Sequence, residues 1–417
     1  MRYAKLLFIG VFFVSSAGYP QAPAPKSDEA TQPESAETTE NARSFFVFPL
    51  AVSLLGVGSF YGLTAGVNKL TGTDIDITLA KTFGRIDAHG GLITGIPVVP
   101  SKLYIDVSYG RINEGFFETE YARGIEKADV YVEKIEAYGL RFELKYYPFE
   151  WWTIRPGFAQ TEAEINEYTY NGNEVDLNDT DIASINTDYI FTETDITLLD
   201  NKERPTKGAI ATLGALYESG RAEESDQLTL SYKVSGYVPV ATSLVWANTI
   251  FGSDATVLNE KYGEPSDIRS KLGSNCSDIS NQSHRDRCED WQDDYVHYQS
   301  ASNRNGSAYA LGGSRYLRSY REGRFRGAHS RAFSSELRWT LSETLGIPYF
   351  TNSGRAIDLV PFWDVGFVND FESKLYDSAR NSFGASLRAY FSPTVIRLAY
   401  ATGEEGDGIY LTAGAAW

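Results

Sequence analysis

The 417-residue sequence predicts an all-β fold, a 16-stranded antiparallel transmembrane β-barrel, and three observations support it. Segments that alternate between apolar and polar residues are mostly about ten residues long, which is what a tilted strand needs to cross a bilayer. Their apolar faces carry tyrosine and tryptophan near the ends, as the interfacial girdles of membrane barrels do. The connections alternate between short and long, as expected if the short turns all lie at one end of a barrel.

The clearest alternating segment spans residues 137–146. One face carries Tyr138, Leu140, Phe142, Leu144 and Tyr146, and the other carries Ala137, Gly139, Arg141, Glu143 and Lys145. A period of two predicts a strand rather than a helix. In a soluble sandwich the apolar face would form the core, whereas in a membrane barrel it contacts lipid and the polar face lines the lumen.

The first 43 residues have a different composition. Residues 1–17 combine Arg2 and Lys5 with an apolar run and then small residues up to Ala17, which is the pattern of a cleavable signal peptide. A membrane anchor is the alternative, but the apolar run has about half the length of a spanning helix. Residues 18–43 are rich in Pro, Ala, Glu, Ser and Thr and predict a disordered linker, which leaves residues 44–417 for the barrel.

Sixteen alternating segments follow the linker. They span approximately residues 46–54, 59–68, 73–83, 86–98, 101–111, 133–147, 150–166, 186–197, 207–218, 226–237, 241–252, 330–342, 355–369, 380–391, 393–401 and 408–417. With the N-terminus in the periplasm, each connection after an even-numbered strand is a short turn and each one after an odd-numbered strand is an external loop. The largest external loop is expected at residues 253–329. The last strand ends in Trp417, and a terminal aromatic residue resembles the C-terminal signal of bacterial outer-membrane barrels.

Both cysteines lie in the largest external loop. Cys276 and Cys288 are predicted to form a disulfide, because an exported chain meets an oxidising compartment. A zinc site with His284 is the alternative, but it lacks a fourth ligand and the usual C-x-x-C spacing.

Charge and composition exclude several classes of function. The chain has 38 basic and 55 acidic residues, a net charge of −17, and this argues against a nucleic-acid surface. Its four histidines are scattered and it has no G-x-S-x-G or H-E-x-x-H motif, so we expect neither an enzyme nor a bound metal or cofactor.

Two groups of acidic residues admit a functional and a structural interpretation. Asp176, Asp179 and Asp181 could bind Ca²⁺, but their spacing does not fit the twelve-residue calcium loop, and a solvated external loop is favoured. Asp74 and Asp76 share one strand face and are interpreted as lining of the lumen.

The stretch LGGSRYLRSYREGRFRG, residues 311–327, contains five arginines and precedes strand twelve. It resembles the BamA/TamA superfamily of bacterial outer-membrane surface-antigen barrels, whose hallmark loop has Gly-Gly followed by an aliphatic-Arg-Gly-aromatic box. The matching residues are Gly312, Gly313, Leu317, Arg318, Ser319 and Tyr320. Ser319 departs from the family glycine, which predicts an altered turn at a tight or positive-φ position.

Further matches follow the order of the family motifs. FWDVG, from Phe362 to Gly366 on strand thirteen, resembles the family's Phe-x-Asp-x-Gly. Asp200, Pro205 and Gly208 fit its Asp-x4-Pro-x2-Gly turn before a strand, and residues 383–417 resemble its closing strands. The resemblance covers roughly residues 200–417.

The resemblance implies that the external loop folds back into the lumen and that Arg318 pairs there with Asp364. Strand parity agrees, because Asp364 cannot face lipid, where a charge costs several kcal/mol. Glu336 and Arg338 on strand twelve are expected to support this pair from the lumen wall. The stretch has four other arginines, which we interpret as solvated loop charges: Arg315, Arg321, Arg324 and Arg326.

The resemblance also implies a role in inserting or translocating proteins at the bacterial outer membrane. Family members carry periplasmic POTRA domains of about 75 residues, which residues 19–43 are too few to hold, so a form without these domains is expected. The expected partners are the lipid bilayer and lipopolysaccharide, together with a separate periplasmic domain protein or client outer-membrane proteins. In the family the first and last strands pair weakly, and Pro49 in the first strand lacks a ladder donor, as tolerated at an edge. The alternative is a passive pore or structural barrel.

Overall fold

A computed structural model describes residues 44–70, 73–170, 173–174, 184–202, 204–220, 224–272, 276–343, 356–391 and 394–414. The expected signal peptide and linker lie outside the described residues. So do Trp417 of the expected terminal signal and the candidate calcium ligands Asp176, Asp179 and Asp181.

Sixteen strands form the wall of the barrel, which confirms the predicted fold class. They are β1 Ser44–Leu54, β2 Gly58–Asn68, β3 Asp76–Gly84, β4 Ile86–Val99, β5 Leu103–Glu120, β6 Val130–Phe149, β7 Trp152–Tyr170, β8 Ser184–Leu199, β9 Gly208–Gly220, β10 Asp226–Ala241, β11 Leu244–Asn259, β12 His329–Ser342, β13 Ile357–Asn369, β14 Arg380–Phe391, β15 Thr394–Gly403 and β16 Gly406–Gly414. A two-residue segment, Asn173–Glu174, pairs with the end of β7.

Each strand pairs antiparallel with the next along the chain, and β16 pairs with β1 to close the barrel. The connections alternate as expected, with the longest one, residues 260–328, between β11 and β12. Each of the sixteen described wall strands therefore has a paired neighbour on both sides, and a closed barrel is one of the two architectures that can span lipid.

The wall is apolar outside and polar inside. Tyr138, Leu140 and Phe142 on β6 are 40%, 47% and 40% exposed, whereas Glu143 and Lys145 are 5% and 6% exposed. The predicted alternation is therefore confirmed, with the apolar face outward. Three aromatic rings, Phe149, Trp151 and Trp152, stack at the β6–β7 turn with centroids 5.3–6.3 Å apart. Stacked rings at a barrel end fit an interfacial girdle.

One of the acidic groups lies elsewhere than expected. Asp74 is exposed in the turn before β3 and accepts a hydrogen bond of 3.2 Å from the Tyr104 hydroxyl, so it does not share a strand face with Asp76 as the sequence suggested. Asp76, the first residue of β3, accepts a hydrogen bond of 2.8 Å from the Lys69 backbone N–H. Because β3 begins at Asp76, Asp74 lies before the strand and contacts β5 through Tyr104.

The β11–β12 connection contains two helices that the sequence did not predict: α1, Pro265–Lys271, and α2, Gln282–Asn305. The Asn281 side chain caps the start of α2 by accepting hydrogen bonds from the backbone N–H groups of Ser283 and His284, and Gly306 with φ +79° ends it. Among the described residues, no helix has both the length and the apolar character needed to cross a membrane.

The predicted disulfide is present. Cys276 and Cys288 are bonded with their Cα atoms 5.6 Å apart, and both side chains are buried. The bond joins the start of α2 to the short turn before it, and this leaves His284 without the thiolate ligands that the zinc alternative needs.

The helices pack on β5, β6 and β7, whose 18–20 residues extend well beyond the length needed to cross a bilayer. Trp291 of α2 is fully buried and lies 4.8 Å from Tyr168 and 5.2 Å from Tyr295 between ring centroids. Tyr121 meets Tyr295 edge-to-face at 5.5 Å. We call α1, α2 and this aromatic cluster the helical cap.

Candidate functional site

Residues 311–327, which we call the arginine segment, contact the inward-facing side chains of the barrel wall. Leu311 and Phe325 pair through two backbone hydrogen bonds of 2.9 Å and close the segment into a loop. Gly312 has φ +107°, and a Cβ there would lie 2.5 Å from the backbone oxygen of Arg321. Only glycine fits this position, which gives the Gly-Gly of the motif a steric reason.

The structure brings Arg318 and Asp364 together as a forked pair. Nε of Arg318 lies 2.9 Å from Oδ2 of Asp364, and Nη2 lies 2.7 Å from Oδ1. The backbone N–H of Arg318 also donates to Oδ2, at 3.1 Å. Both residues are buried, at 5% and 1% exposed. Two parallel charge-assisted hydrogen bonds of this kind need the planar guanidinium and not an ammonium.

Wall residues on both sides of β13 complete the contacts of Asp364. Ser334 on β12 donates to Oδ1 at 2.7 Å, and Ser382 on β14 donates to Oδ2 at 3.2 Å. Both serines lie directly opposite Asp364 in the strand registers. Burial opposes the charged form of Arg318, but Asp364 and Glu336 outweigh burial and raise the pKa of its guanidinium. The positive charge of Arg318 is therefore retained where the segment meets the wall.

Glu336 connects Arg318 to further arginines of the wall. Its Oε1 lies 2.8 Å from Nη1 of Arg318 and 2.6 Å from Nη2 of Arg388, and its Oε2 lies 3.1 Å from Nη2 of Arg338. Glu336 and Arg338 thus lie where the sequence suggested. Arg388 on β14 was not anticipated, because only the strand register reveals that it lies beside the same carboxylate.

Phe362 and Gly366, both on β13, contact the arginine segment and position it against the wall. The Arg318 guanidinium carbon lies 3.4 Å from the centroid of the Phe362 ring, a cation–π contact. A Cβ on Gly366 would lie 2.6 Å from Leu317, so the glycine makes room for that side chain. The three inward-facing residues of the FWDVG motif, Phe362, Asp364 and Gly366, therefore all contact the arginine segment.

The turn at Leu317 to Tyr320 differs from the expectation. The positive φ falls on Leu317, at +59°, and Ser319 has an ordinary backbone conformation. The absence of a family-like glycine at residue 319 therefore causes no backbone strain. Tyr320 fixes the end of the turn: its hydroxyl donates to the Asn381 carbonyl at 3.0 Å, and its own carbonyl accepts from the Tyr410 hydroxyl at 2.6 Å.

The interpretation of the other arginines as solvated charges is wrong for two of them. Arg324 and Arg326 are only 3% and 5% exposed. Arg324 pairs with Glu120 and Glu405, and Arg326 donates to the Thr119 hydroxyl at 3.0 Å. The extended end of β5 supplies Thr119 and Glu120, and the β15–β16 turn supplies Glu405. Arg321 is partly exposed and also pairs with Glu120, whereas Arg315 is exposed.

The turn motif before β9 is also ordered by its own side chains. Asp200 accepts hydrogen bonds from the backbone N–H groups of Asn201, Thr206 and Lys207 at 2.9–3.1 Å. Gly208 has φ +110°, and a Cβ there would lie 2.0 Å from the backbone oxygen of Leu198. Pro205 is buried at the end of this turn. The arrangement accounts for the Asp, Pro and Gly of the motif by turn geometry.

These features define a class: a closed transmembrane β-barrel whose longest loop contributes a buried arginine to an acidic inner-wall site. Solved structures with a similar fold include BamA from Haemophilus ducreyi lacking POTRA domains 1-3, with a TM-score of 0.53 and 14% identity over 90% of this chain and 70% of that one. CdiB from Escherichia coli is similar with a TM-score of 0.51 and 10% identity over 88% of this chain. The chain spans 62% of that CdiB chain. No protein-family model and no curated protein sequence matches the chain.

Proposed function

We propose that this chain is a bacterial outer-membrane barrel of the BamA/TamA superfamily that takes part in inserting or translocating proteins. The observation that carries the proposal is the contact between the two motifs. The Arg318 guanidinium of the loop donates two hydrogen bonds, of 2.7 and 2.9 Å, to the Asp364 carboxylate of β13. The motifs are far apart in sequence, and their contact gives the resemblance a physical basis. The likeness of the fold to BamA and CdiB supports the proposal.

The closure of the barrel supports the same function. Within the described residues, β1 and β16 are registered at one pair, Ser53 and Leu411, whereas β1 pairs with β2 at every position from Ser44 to Leu54. A short seam has few backbone hydrogen bonds to break. The seam between β1 and β16 is therefore the place where a client strand could enter or leave the wall.

The test uses purified full-length protein in liposomes with an unfolded client β-barrel. We expect client folding to be faster than in empty liposomes, and we expect a disulfide between Ser53→Cys and Leu411→Cys to abolish the acceleration. The matched control joins Ser53→Cys to Ser59→Cys, which links β1 to β2 and leaves the seam free; these residues are also opposite each other. No acceleration by the native protein, or full acceleration with the seam linked, would refute the proposal.

The alternative is a passive pore or structural barrel, which the charged inner wall away from the arginine segment favours. Lys145 on β6 pairs with Asp106 on β5, and Arg155 on β7 pairs with Asp195 on β8. The contacts of the arginine segment with β5 lie at the other end of that strand, at Glu118 to Glu120. Steady single-channel conductance without any effect on client folding would support this alternative. If the segment obstructs the lumen, Arg318→Ala increases the conductance.

A further inference from the structure

A group of arginines lies on the inner wall beyond Glu336, toward the end of the barrel where β12 and β14 finish. Arg338 and Arg388 are 8% and 4% exposed. Arg397 on β15 lies directly opposite Arg388 in the strand register. Like charges in directly opposite positions destabilise a sheet unless something between or beside them compensates. This part of the wall is thus positive in a chain whose net charge is −17.

The nearby carboxylates are already engaged. Glu336 is shared by Arg318, Arg338 and Arg388. Asp358 pairs at 2.8 Å with Arg204, which reaches in from the turn before β9. One carboxylate cannot satisfy the donors of several guanidinium groups.

Two of these arginines keep buried donors without a protein partner. Within the described parts of the chain, neither Nη1 of Arg338 nor Nε of Arg388 has a hydrogen-bond acceptor, and the nearby Ser386 hydroxyl also has no partner. A buried N–H group that lacks an acceptor costs free energy, so such groups normally face water or a ligand. The positive charge of these arginines and their unpaired N–H donors both favour binding of an oxygen-bearing anion.

A crevice at this end of the barrel reaches Arg338. Its volume is about 270 Å³. Its charged lining comes from Arg204, Arg338, Glu343 and Asp358, and its hydroxyl groups come from Thr206, Thr242, Ser243 and Thr340. The two carboxylates are bonded to Arg204 at 2.8 and 2.9 Å, which leaves Arg338 as the cation with a free donor. The volume accommodates a small anion with several waters, since one water occupies about 30 Å³ of liquid.

We propose that this crevice binds a single oxyanion group, a phosphate or a carboxylate, on Arg338. Arg338 lines the crevice, and its buried Nη1 has no acceptor among the described residues while its Nη2 donates to Glu336. Arg388 on β14 and Arg397 on β15 add positive potential from the same side of the barrel. The proposal goes beyond the assembly function, because anion binding requires neither a client nor an open seam.

The test is isothermal titration calorimetry of the full-length protein in detergent with inorganic phosphate, with ionic strength held constant by chloride. We expect saturable binding with one phosphate per chain, and we expect Arg338→Gln to weaken it by about tenfold or more, the equivalent of one charge-assisted contact. The matched control is Arg141→Gln, an inner-wall arginine on β6 that pairs with Glu143 away from the crevice. Its affinity for phosphate is expected to equal that of the native protein.

Further measurements keep the proposal testable if Arg338→Gln does not fold. Arg338→Lys keeps the charge but removes the fork, so it is expected to fold and to bind phosphate more weakly than the native protein. Acetate is expected to compete with phosphate, since a carboxylate presents a similar pair of oxygens. Absence of saturable binding by the native protein, or native affinity in Arg338→Lys, would overturn the proposal.

The source of the oxyanion is resolved by reconstitution. Phosphate affinity is compared in vesicles of phosphatidylcholine and in vesicles that also contain phosphatidylglycerol. An affinity that falls in the anionic vesicles assigns the site to a lipid headgroup, whereas an unchanged affinity assigns it to a soluble oxyanion. Either outcome leaves the client-folding test unaffected, so failure of the two proposals can be distinguished.

Discussion

At the scale of single residues, the buried Arg318 obtains every polar contact from groups that are far away in the sequence. Asp364, Glu336 and the Ser334 hydroxyl accept from its guanidinium at 2.7–3.0 Å. Taking such charges out of water is costly, and the pairing offsets that cost only while the geometry is complete. The site is therefore sensitive to the loss of one partner.

We expect Arg318→Ala to lower the free energy of unfolding by about 3–5 kcal/mol, because Asp364 is then buried without its cation. The double variant Arg318→Ala/Asp364→Ala is expected to cost little more than either single change, because it leaves no uncompensated charge at that position. Urea unfolding of the four proteins in detergent micelles measures this coupling.

A surface pair in the same wall provides the control for this cycle. Lys81 and Asp87 form an ion pair at the β3–β4 hairpin with side chains 37% and 42% exposed. Their coupling is expected to stay below about 1 kcal/mol, as exposed pairs do. Equal coupling in the two cycles would contradict the special role of burial at Arg318.

At the scale of elements, the same strands serve two environments. Over residues 137–146, β6 follows the membrane rule, with apolar side chains outward. Toward its other end β6 buries Ile135 and Tyr131, which pack inward in the apolar cluster that includes α2. The long strands β5 to β7 thus become part of a small soluble-type core above the bilayer.

Removal of Trp291 tests whether this core holds the helical cap. Trp291→Ala is expected to cost about 3–5 kcal/mol of local packing, the usual loss for a fully buried aromatic side chain. Because the barrel strands keep their own ladders, the barrel's thermal transition is expected to remain while protease cleavage within residues 265–305 increases. Limited proteolysis followed by mass spectrometry measures this, with the exposed Glu289→Ala as the matched control. Unchanged protease resistance in Trp291→Ala would show that the cap is held by other contacts.

At the scale of the whole molecule, the barrel is closed but its closure is uneven. β15 and β16 are registered over nine pairs from Val395–Gly414 to Gly403–Gly406, whereas the described residues of β16 and β1 share one. Stability in a barrel follows the local density of hydrogen bonds and packing, so different edges of one strand open at different free energies. We expect the seam between β1 and β16 to open at a lower free energy than the other edge of β16.

Hydrogen exchange along β16 checks this directly. In an antiparallel strand successive N–H groups point to opposite neighbours, so β16 carries its own internal control. We expect the amides directed at β15 to exchange at least about tenfold more slowly than those directed at β1, since one additional hydrogen bond is worth about 1 kcal/mol or more. Exchange in detergent followed by NMR resolves the two sets. Uniform protection along β16 would contradict a weak seam.

The sequence by itself determined the barrel, its strand number, its outward face and the disulfide. These features follow from patterns that can be recognised over a few residues: a period of two, the strand length, the spacing of turns, and a leader that indicates export to an oxidising compartment. The pairing of Arg318 with Asp364 was implied by the resemblance to the BamA/TamA superfamily, and strand parity agreed with it, because a carboxylate on β13 has no stable place in lipid.

Only the tertiary structure decided the rest. The helices α1 and α2 carry a polar, weakly patterned sequence, and their stability comes from Trp291 and its neighbours on β5 to β7 rather than from local propensity. The burial of Arg324, the convergence of Arg388 on Glu336 and the free donor of Arg338 depend on strand register and on which loop reaches which wall. Contacts between residues tens to hundreds of positions apart leave no local pattern, and therefore they appear only once the barrel has closed.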